Sequence, residues 1–498
     1  MSRHDATSDE APGLLIALPG GLYVSGVVSW AVRLVNELCG RGVRCGLLVH
    51  AQREGYAAAA PRIDPRVRLV DLSALGPIEA CEGRIEPFAS AYAAAARDLG
   101  PRHVVLSPNL HGDSYGAAAA ALQACGDLLR VVGWCHLDSA YDVRVLRHYA
   151  PMLSRVVAVS GALRERLADM AGVTEIPYGV PSTTRGAAQT DGPPRLIYAG
   201  RLDETVKRVG ALAAMSRVLD SQGFAHRLTL LGDGPAAASL PSGPSIERLA
   251  GVAPESVGGF YAASDLFLLA SKAEGLSLAM LEAMRCGCVP VVTRVRSGAT
   301  QAVTHGESGL LVDADDDTPR EELARRMAAA VRAAWEAGPE AMKAMRTRAM
   351  HAADAYSVEA HATRVLAMMH EVAAEPARSW TGRCAFTGGG SVPAGGEERL
   401  RAALRSLRGE RVLVHGTGRH TQELGHVLEE FRDCIIGFCD DDATKAGTRV
   451  MGWPVHLPPG PREGTAVVVS SWIHEAEVLA RAPVAYAGKR VVGLYHAA

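Results

Sequence analysis

Two glutamates with seven residues between them stand where a predicted strand gives way to a helix. Glu274 lies in the loop after the apolar run Leu266–Leu269, and Glu282 lies about one turn into the predicted helix Leu278–Arg285. The first backbone N–H groups of a helix are unpaired and lie at the positive end of its dipole, which suits a diphosphate. A carboxylate on each side could hold hydroxyls of the two sugars that flank the diphosphate. An exposed loop glutamate followed by an ordinary helix glutamate would have the same spacing.

Two cations follow another predicted strand, Arg195–Ala199. Arg201 and Lys207 lie near the carboxyl end of this strand, the edge at which open α/β sheets bind ligands. A planar guanidinium and a mobile ammonium suit a pyrophosphate leaving group. An isolated Arg–Lys pair is more often a solvated surface turn.

The elements that must position these residues follow from the hydrophobic pattern. Short apolar runs alternate with longer amphipathic stretches, which is typical of βαβ units and parallel sheets. The first predicted helix covers about 27–39, and a long helical stretch covers about 320–374. The predicted strands are Leu14–Leu18, Arg44–Val49, Val67–Val70, His103–Leu106, Val131–Trp134 and Val156–Val159, then Arg195–Ala199, Arg227–Leu231, Leu266–Leu269 and Val289–Thr293, then Arg411–Val414, Cys434–Cys439 and Ala466–Ser470.

These patterns divide the chain into three α/β domains. Residues 1–181 form an N-terminal Rossmann-like domain, and residues 182–374 form a second one after a Ser/Thr/Gly/Pro-rich linker at 182–194. Residues 375–408, with a Gly-Gly-Gly run, are predicted to be a flexible linker. Residues 409–498 form a small Rossmann-like domain. Two Rossmann-like domains joined by a short linker leave a cleft between the carboxyl ends of their strands.

The bulk composition is that of an ordinary soluble protein. Its 498 residues exceed what one hydrophobic core usually serves, and its net charge of −2 gives no pull toward nucleic acid. Ten cysteines without a Cys-x-x-Cys pair indicate reduced thiols rather than a zinc site. No stretch approaches the ~20 apolar residues of a membrane span. We therefore expect a cytoplasmic protein, either free or peripheral at the inner face of the membrane, with no nucleic-acid partner.

Three motifs occur in order along the second domain: Gly200-Arg201 to Lys207, Gly232-Asp233-Gly234-Pro235, and Glu274-Gly275 to Glu282-Ala283. Together with Gly309-Leu310-Leu311-Val312, they resemble the retaining GT-B glycosyltransferases of glycosyltransferase family 4, over roughly residues 14–375. The resemblance implies an acceptor-side first domain, a donor-binding second domain, and transfer of a sugar from a nucleoside-diphosphate-sugar with retention of anomeric configuration.

The resemblance also implies a role for each motif residue. No metal or other cofactor is required, because protein cations and a helix dipole meet the charge of the departing diphosphate. The implied donor-site residues are two diphosphate-binding cations, Arg201 and Lys207; the sugar-binding Glu274 with the amides of Gly275, Leu276 and Ser277; the ribose-binding Glu282; and a donor-facing His136 after a first-domain strand.

Two positions depart from the family pattern. Relatives carry two glycines just before the first helix, and Ser25-Gly26 stand in that place here, with Gly20-Gly21 earlier in a lengthened loop. We expect Ser25 and Gly26 to make the corresponding contact. Arg208 follows Lys207 where glycine is common, which adds a cation to the loop.

The donor base, whether UDP, GDP or ADP, stays open, and so does the acceptor: a saccharide, a lipid-linked glycan or a small molecule. A nucleotide-sugar epimerase or a phosphorylase on the same fold would need acid/base carboxylates or a lysine-bound pyridoxal phosphate, and neither is evident. A non-catalytic nucleotide-sugar-binding scaffold is a further alternative. The intact Arg201, Lys207, Glu274 and Glu282 argue against it.

The small third domain carries a degenerate dinucleotide-binding motif. Gly416 and Gly418 are present, Thr421 replaces the third glycine, and Asp440 follows about 20 residues on, where a ribose-binding acid would lie. The stretch resembles the small Rossmann-like domains found beside sugar-modifying transferases. An accessory nucleotide site is one interpretation. Docking of a partner or a homo-oligomeric contact is the other.

Overall fold

The computed structural model describes residues 11–23, 25–52, 60–78, 81, 84–100, 103–109, 111–181, 192–204, 206–295, 297–315, 318–382, 396–471 and 475–495. The chain divides into two compact units, 1–386 and 387–498. Most of the first predicted linker, at 182–191, lies outside the described residues. We call the part of the first unit before this gap the first half and the part after it the second half.

The first half is built on a parallel sheet of seven strands. Strands 13–18 and 129–135, which are apolar except for Arg130, are buried at every position, as expected of strands covered by helices on both faces. The elements are β1 (Gly13–Leu18), α1 (Gly26–Gly40), β2 (Cys45–Val49), β3 (Arg68–Asp71), α2 (Glu86–Leu99), β4 (Val104–Ser107), α3 (Gly112–Cys125), β5 (Leu129–Cys135), α4 (Ala140–Tyr149), β6 (Leu153–Ala158), α5 (Gly161–Arg166) and β7 (Val173–Glu175). The strand order is β3-β2-β1-β4-β5-β6-β7.

The second half repeats this plan with a parallel sheet of six strands. Its elements are β8 (Arg195–Ala199), α6 (Val209–Ser221), β9 (Arg227–Leu231), β10 (Ile246–Leu249), α7 (Val257–Ala262), β11 (Leu266–Leu269), α8 (Leu278–Cys286), β12 (Val289–Thr293), α9 (Ala299–Ala302), β13 (Leu310–Val312), α10 (Arg320–Glu336), α11 (Pro339–Asp354) and α12 (Val358–Ala374). The strand order is β10-β9-β8-β11-β12-β13. The single long helical stretch predicted for 320–374 is three helices, with the first break at Gly338, whose φ is 91°.

Helix α12, the last described helix of the first unit, packs against the first half, although the sequence placed it with the second domain. The end of the first half meets the start of this helix where Val180 bridges Ser357. Gly179 is required there, because a Cβ atom would lie 2.6 Å from the Ser357 carbonyl oxygen. From this point α12 runs along α1 and β4, and His361 accepts a 2.8 Å hydrogen bond from the Trp30 indole.

The second unit has a mixed sheet, in the order β16-β17-β15-β14-β18-β19. Only the β16–β17 pairing is antiparallel among its described strands. Hydrophobic clusters cover both faces of the sheet. The elements are α13 (Gly396–Ser406), β14 (Val412–His415), α14 (Arg419–Glu423), α15 (Gly425–Glu429), β15 (Ile435–Cys439), β16 (Arg449–Val450), β17 (Trp453–His456), β18 (Ala466–Val469), α16 (Glu475–Ala485) and β19 (Arg490–Gly493).

The predicted flexible linker at 375–408 is structured at both described ends. Trp380 is 6% exposed and packs against Tyr149, with ring centroids 4.9 Å apart. At the other end, Leu400 and Leu404 of α13 belong to the core of the second unit. Its glycine-rich middle, 383–395, lies outside the described residues. The glycine-rich composition of the middle led to the wrong prediction for the two flanking segments, which are held in place by buried apolar side chains.

Within the described ranges, no helix combines the length and the apolarity needed to cross a lipid bilayer.

Candidate active site

Two loops of the second half meet at the carboxyl ends of β8 and β11. Lys207 Nζ lies 2.5 Å from Glu274 Oε1, and the Ser271 hydroxyl donates to the same oxygen at 2.6 Å. The backbone N–H of Lys272 donates to the Val206 carbonyl at 2.8 Å, which ties the loops together a second time. The structure thus brings together a predicted cation and a predicted carboxylate that are 67 residues apart in the sequence.

Asp203 shapes the cation loop. It accepts from Arg201 Nε at 2.7 Å and, through its other oxygen, from the backbone N–H groups of Val206 and Lys207 at 2.8 and 3.1 Å. Burial disfavours the charged form of this carboxylate, but the charge of Arg201 and these hydrogen bonds outweigh the burial and lower the pKa of Asp203. An Asp203 that is ionised at neutral pH therefore fixes the turn from which Arg201 and Lys207 project.

Arg208 does not add a cation to the cleft, contrary to the sequence interpretation. Its side chain is buried, and the guanidinium donates to the carbonyl oxygens of Ala270, Ser271 and Asp315 at 2.7, 3.1 and 2.9 Å. Its φ of 49° is in the left-handed region that favours glycine, which explains why glycine suits this position. Arg208 accepts that backbone conformation and fastens the Lys207 loop to the Glu274 loop.

We expect Arg208→Ala to lower the free energy of unfolding by about 2–3 kcal/mol, because it removes a buried guanidinium that donates to three carbonyl oxygens. Arg208→Lys should rescue little of this loss, since an ammonium cannot reproduce the fork of donors. Urea unfolding of the two variants measures both effects. Full rescue by lysine would mean that charge, rather than the hydrogen-bond fork, is what this position supplies.

The N-terminus of α8 lies against the first half. Ser277 caps the helix by accepting from the Met280 N–H at 3.3 Å, and Leu276 and Ser277 are both largely buried. A Cβ atom on Gly275 would lie 2.0 Å from the His136 carbonyl oxygen. Only glycine allows the two backbones to approach this closely, so Gly275 marks one of the points where the halves touch.

The side chain of His136 is hydrogen-bonded within the first half. Asn109 donates to the Ala17 carbonyl through its amide nitrogen, so its Oδ1 accepts from His136 Nε2 at 3.1 Å. His136 Nδ1, 2.6 Å from the Tyr178 hydroxyl, is then the acceptor. Burial lowers the pKa of His136 to about 3. His136 is therefore a neutral imidazole with both nitrogens bonded inside the first half, and it touches the second half through its carbonyl.

Helix α1 of the first half lies beside α8. Ser25 caps α1 by accepting from the Val27 N–H at 3.2 Å. A Cβ atom on Gly26 would lie 3.7 Å from Leu278, the first residue of α8. Two turns further along α1, Arg33 donates a hydrogen bond to Glu282 Oε1. The predicted Ser25-Gly26 contact and the predicted ribose acid are thus brought to neighbouring positions by two adjacent helices.

Sequence reasoning missed several residues of this arrangement. Asp203 lies between the two cations of the quoted motif, so its position could have singled it out. Ser271 begins the loop of Glu274 and carried the weaker signal of a hydroxyl three residues before a carboxylate. Arg33 carried none, because its partner Glu282 is 249 residues away.

Three buried histidines of the first unit make its stability depend on pH. Burial lowers the pKa of His50 and His136 to about 3 and of His361 to about 4, against 6.5 in the unfolded chain. Below pH 6.5 these histidines therefore bind protons in the unfolded state but not in the folded state, so the free energy of unfolding falls as the pH falls. Burial raises the pKa of Asp142 to about 7 from 3.8, so this carboxyl takes up a proton in the folded state and offsets one histidine.

The expected net loss is about 2–3 kcal/mol per pH unit near pH 5, from ~1.4 kcal/mol per titrating group. Urea unfolding monitored at pH 7.5, 6 and 5 measures it. His361→Gln should reduce the slope by about one group's share. A slope that is flat between pH 6 and 5 would contradict the assignment of these histidines as neutral in the folded protein.

In the second unit, the residues of the predicted accessory nucleotide site lie together, but Asp440 is engaged locally. Its Oδ2 accepts from the Thr417 N–H and from Lys445 Nζ, both at 3.0 Å, and from the Thr417 hydroxyl. The carboxylate thus closes the loop that carries Gly416 and Gly418. A nucleotide ribose would have to compete with these contacts, and the accessory site stays a prediction.

A family model matches most of the second half. Residues 193–332 match the family model described as glycosyl transferases group 1. The match includes Arg201, Lys207, Glu274 and Glu282, which are the residues on which the sequence resemblance depended. This stretch is therefore similar to group 1 glycosyltransferases, as the motifs predicted.

The two facing halves of the first unit form a GT-B fold, as solved structures confirm. Sucrose-phosphate synthase from Thermosynechococcus elongatus matches with a TM-score of 0.60 and 18% identity, covering 73% of this chain and 99% of that chain. HepE of Anabaena, in complex with UDP-glucose, matches with a TM-score of 0.54 and 16% identity, covering 72% of this chain and 99% of that chain. At these identities the likeness establishes the fold.

A curated relative matches in sequence. A Salmonella typhimurium (strain LT2) protein named as the colanic acid biosynthesis glycosyltransferase WcaL is 28% identical over 246 residues. The match covers 44% of this chain and 59% of that relative, so this chain spans less than two thirds of the relative's length.

Proposed function

We propose that this protein is a retaining glycosyltransferase that moves a sugar from a nucleoside-diphosphate-sugar to an acceptor hydroxyl. The observation that carries the proposal is the Lys207–Glu274 pair at 2.5 Å, beside the loop of Arg201 and at the start of α8. It sets a cation for the leaving group next to a carboxylate for the transferred sugar. The group 1 family match covers this stretch, and the retaining outcome rests on the resemblance to family 4.

The charges of the site suit departure of a diphosphate. Arg201 and Lys207 supply positive charge on one side, and the N-terminal amides of α8 supply partial positive charge on the other. Developing negative charge on the leaving group is stabilised most by donors that are already in place. Asp203 and Arg208 hold this loop in shape, so little reorganisation is needed when the donor binds.

The two glutamates divide the recognition of the donor. Glu274 accepts from Lys207 and Ser271 through Oε1, and no described residue donates to its Oε2. We propose that Oε2 accepts from a hydroxyl of the transferred sugar, together with the amides of Gly275, Leu276 and Ser277. Glu282, one turn into α8, would accept from the ribose hydroxyls.

We propose that His136 acts through its position and not as a base. Its imidazole is neutral and bonded at both nitrogens, while its carbonyl borders the Gly275 loop. The Ser25-Gly26 N-terminus of α1 would face the donor or acceptor from the first half. The acceptor class, whether a saccharide, a lipid-linked glycan or a small molecule, stays open.

UDP is the first nucleotide to test, because HepE, which shares the fold, is described in complex with UDP-glucose. A panel of UDP-, GDP- and ADP-sugars should include at least one that raises the melting temperature, since a ligand that binds only the folded state stabilises it. Turnover of that donor, with the anomeric configuration of the product followed by NMR, tests the reaction. Inversion, or binding without any transfer or hydrolysis, would count against the proposal.

We also expect the protein to stay active in the presence of EDTA, because Arg201 and Lys207 take the place of a divalent metal ion at the diphosphate. Loss of activity in EDTA that a metal restores would contradict this part of the proposal.

We further propose a cytoplasmic location, because the described cysteines are all free and mostly buried, which suits a reducing compartment. For the second unit we retain both proposals, an accessory nucleotide site and a docking surface.

A further inference from the structure

An ion pair joins the two halves of the first unit beside the proposed ribose site. Arg33 of α1 donates to Oε1 of Glu282 of α8, and the two side chains are 17% and 14% exposed. No other hydrogen bond or ion pair of either side chain is found in the described part of the chain. This pair is therefore a direct polar link between the acceptor-side half and the nucleotide-binding carboxylate.

We propose that Arg33 is a positioning residue for the nucleotide: it holds the Glu282 carboxylate in the orientation that accepts the ribose hydroxyls. The inference rests on the proposed function, since it assumes that Glu282 binds ribose. Neither the family match, which covers 193–332, nor the sequence motifs include Arg33.

The geometry leaves room for the ribose. A carboxylate has about four acceptor positions on two oxygens, and Arg33 uses Oε1. The contacts of the described residues leave Oε2 open, so a ribose hydroxyl can bind there without displacing the guanidinium. An arginine on one oxygen restricts rotation of the carboxyl group, so the second oxygen is presented in one direction before the nucleotide arrives.

Charge gives a second reason for the pair. Glu282 lies one turn from the N-terminus of α8, where the diphosphate of the donor is proposed to bind. An unpaired carboxylate at that distance would repel the diphosphate, most strongly where burial limits solvent screening. Arg33 neutralises Glu282, so the acid can hold ribose with less cost to diphosphate binding.

The link also makes nucleotide binding depend on the approach of the two halves. Gly26 and Leu278 are neighbours at the starts of α1 and α8, and Arg33 and Glu282 are neighbours further along the same helices. Two contacts in the same order indicate that the helices run side by side. When the halves separate, Glu282 loses its guanidinium, so the ribose site is complete only when the halves are together.

The test is a double-mutant cycle on the full chain, with UDP as the probe and calorimetry as the readout. Arg33→Met should weaken UDP binding about tenfold, the change that corresponds to losing one charge-assisted hydrogen bond. Arg33→Lys should recover part of the affinity. In a Glu282→Gln background, Arg33→Met should change UDP affinity less than about twofold, because Arg33 acts through that carboxylate. Arg68→Met, which removes an exposed arginine paired with Asp98, is the matched control.

Three outcomes would overturn the inference. Tighter UDP binding by Arg33→Met would show that the pair blocks the ribose site. Unchanged UDP affinity with a lower melting temperature would show that Arg33 stabilises the fold without positioning the nucleotide. An equal loss in both backgrounds would show that Arg33 does not act through Glu282. If the wild-type protein binds no UDP, the same cycle is run with GDP and then ADP; failure of all three overturns the proposed function itself.

Discussion

Replacing Lys207 with alanine is expected to reduce turnover of the nucleotide sugar by about 10²–10³-fold, the cost of losing one preorganised donor to developing charge. The physical reason is twofold. The leaving diphosphate loses a cation, and Glu274 keeps only Ser271 as a described donor, so its charge then opposes that of the diphosphate. Steady-state kinetics with saturating donor and UDP titration separate the chemical step from binding.

A matched control and a comparison sharpen the test. Lys343→Ala removes an exposed lysine of α11 and should leave the kinetics unchanged. Glu274→Ala should impair transfer more than UDP affinity, whereas Glu282→Ala should weaken UDP binding itself. Normal turnover by the Lys207 variant would remove the proposed site. Identical UDP affinities for the two glutamate variants would show that their roles are not divided as proposed.

The second large effect is expected from one added methyl group. Gly275→Ala would place a carbon 2.0 Å from the His136 carbonyl oxygen and 3.0 Å from the Val159 side chain. Neither the Gly275 backbone nor the His136 backbone can relieve this clash by a small local shift. The loop that carries Gly275 must therefore move and take the N-terminus of α8 away from the first half. We expect a loss of stability of about 1–3 kcal/mol, as for overpacked sites, and a loss of turnover larger than that destabilisation alone would give.

Melting temperature and kcat/KM, measured together, check this prediction. Gly243→Ala is the matched control, because a Cβ atom there meets nothing within 4 Å. If Gly275→Ala folded and turned over donor like the control, the contact between Gly275 and His136 could not be part of the working conformation. The proposed assembly of the donor site from both halves would then be wrong.

Much of the fold was predictable because local hydrophobic patterns in the sequence indicate its strands. Buried strands in parallel sheets are continuous apolar runs, and the predicted runs at 14–18, 195–199 and 266–269 match β1, β8 and β11 within one residue. The prediction missed short edge strands such as Val173–Glu175 and Leu310–Val312. Three residues are too few to show a period, and these strands form only because a neighbouring strand offers hydrogen bonds.

The sequence also selected the proposed donor-site residues, because the second half carries them in short motifs after β8 and β11. Arg201, Lys207, Glu274 and Glu282 could be selected by type, spacing and family resemblance before any contact was known. Their pairing could not be read in this way. The motif does not state that Lys207 meets Glu274, or that Arg208, one residue further along, turns inward to three carbonyl oxygens.

Tertiary structure alone decided how the first half contacts the proposed site. The orientation of His136 depends on Asn109 and Tyr178, and the partner of Glu282 is an arginine 249 residues earlier in the chain. It also decided that α12 packs against α1 and β4, since Val180 and Ser357 are distant in the sequence and meet only in space. Local periodicity and motifs record which element a residue occupies. Contacts between distant elements depend on how their surfaces pack, and a single sequence carries no local signal of that.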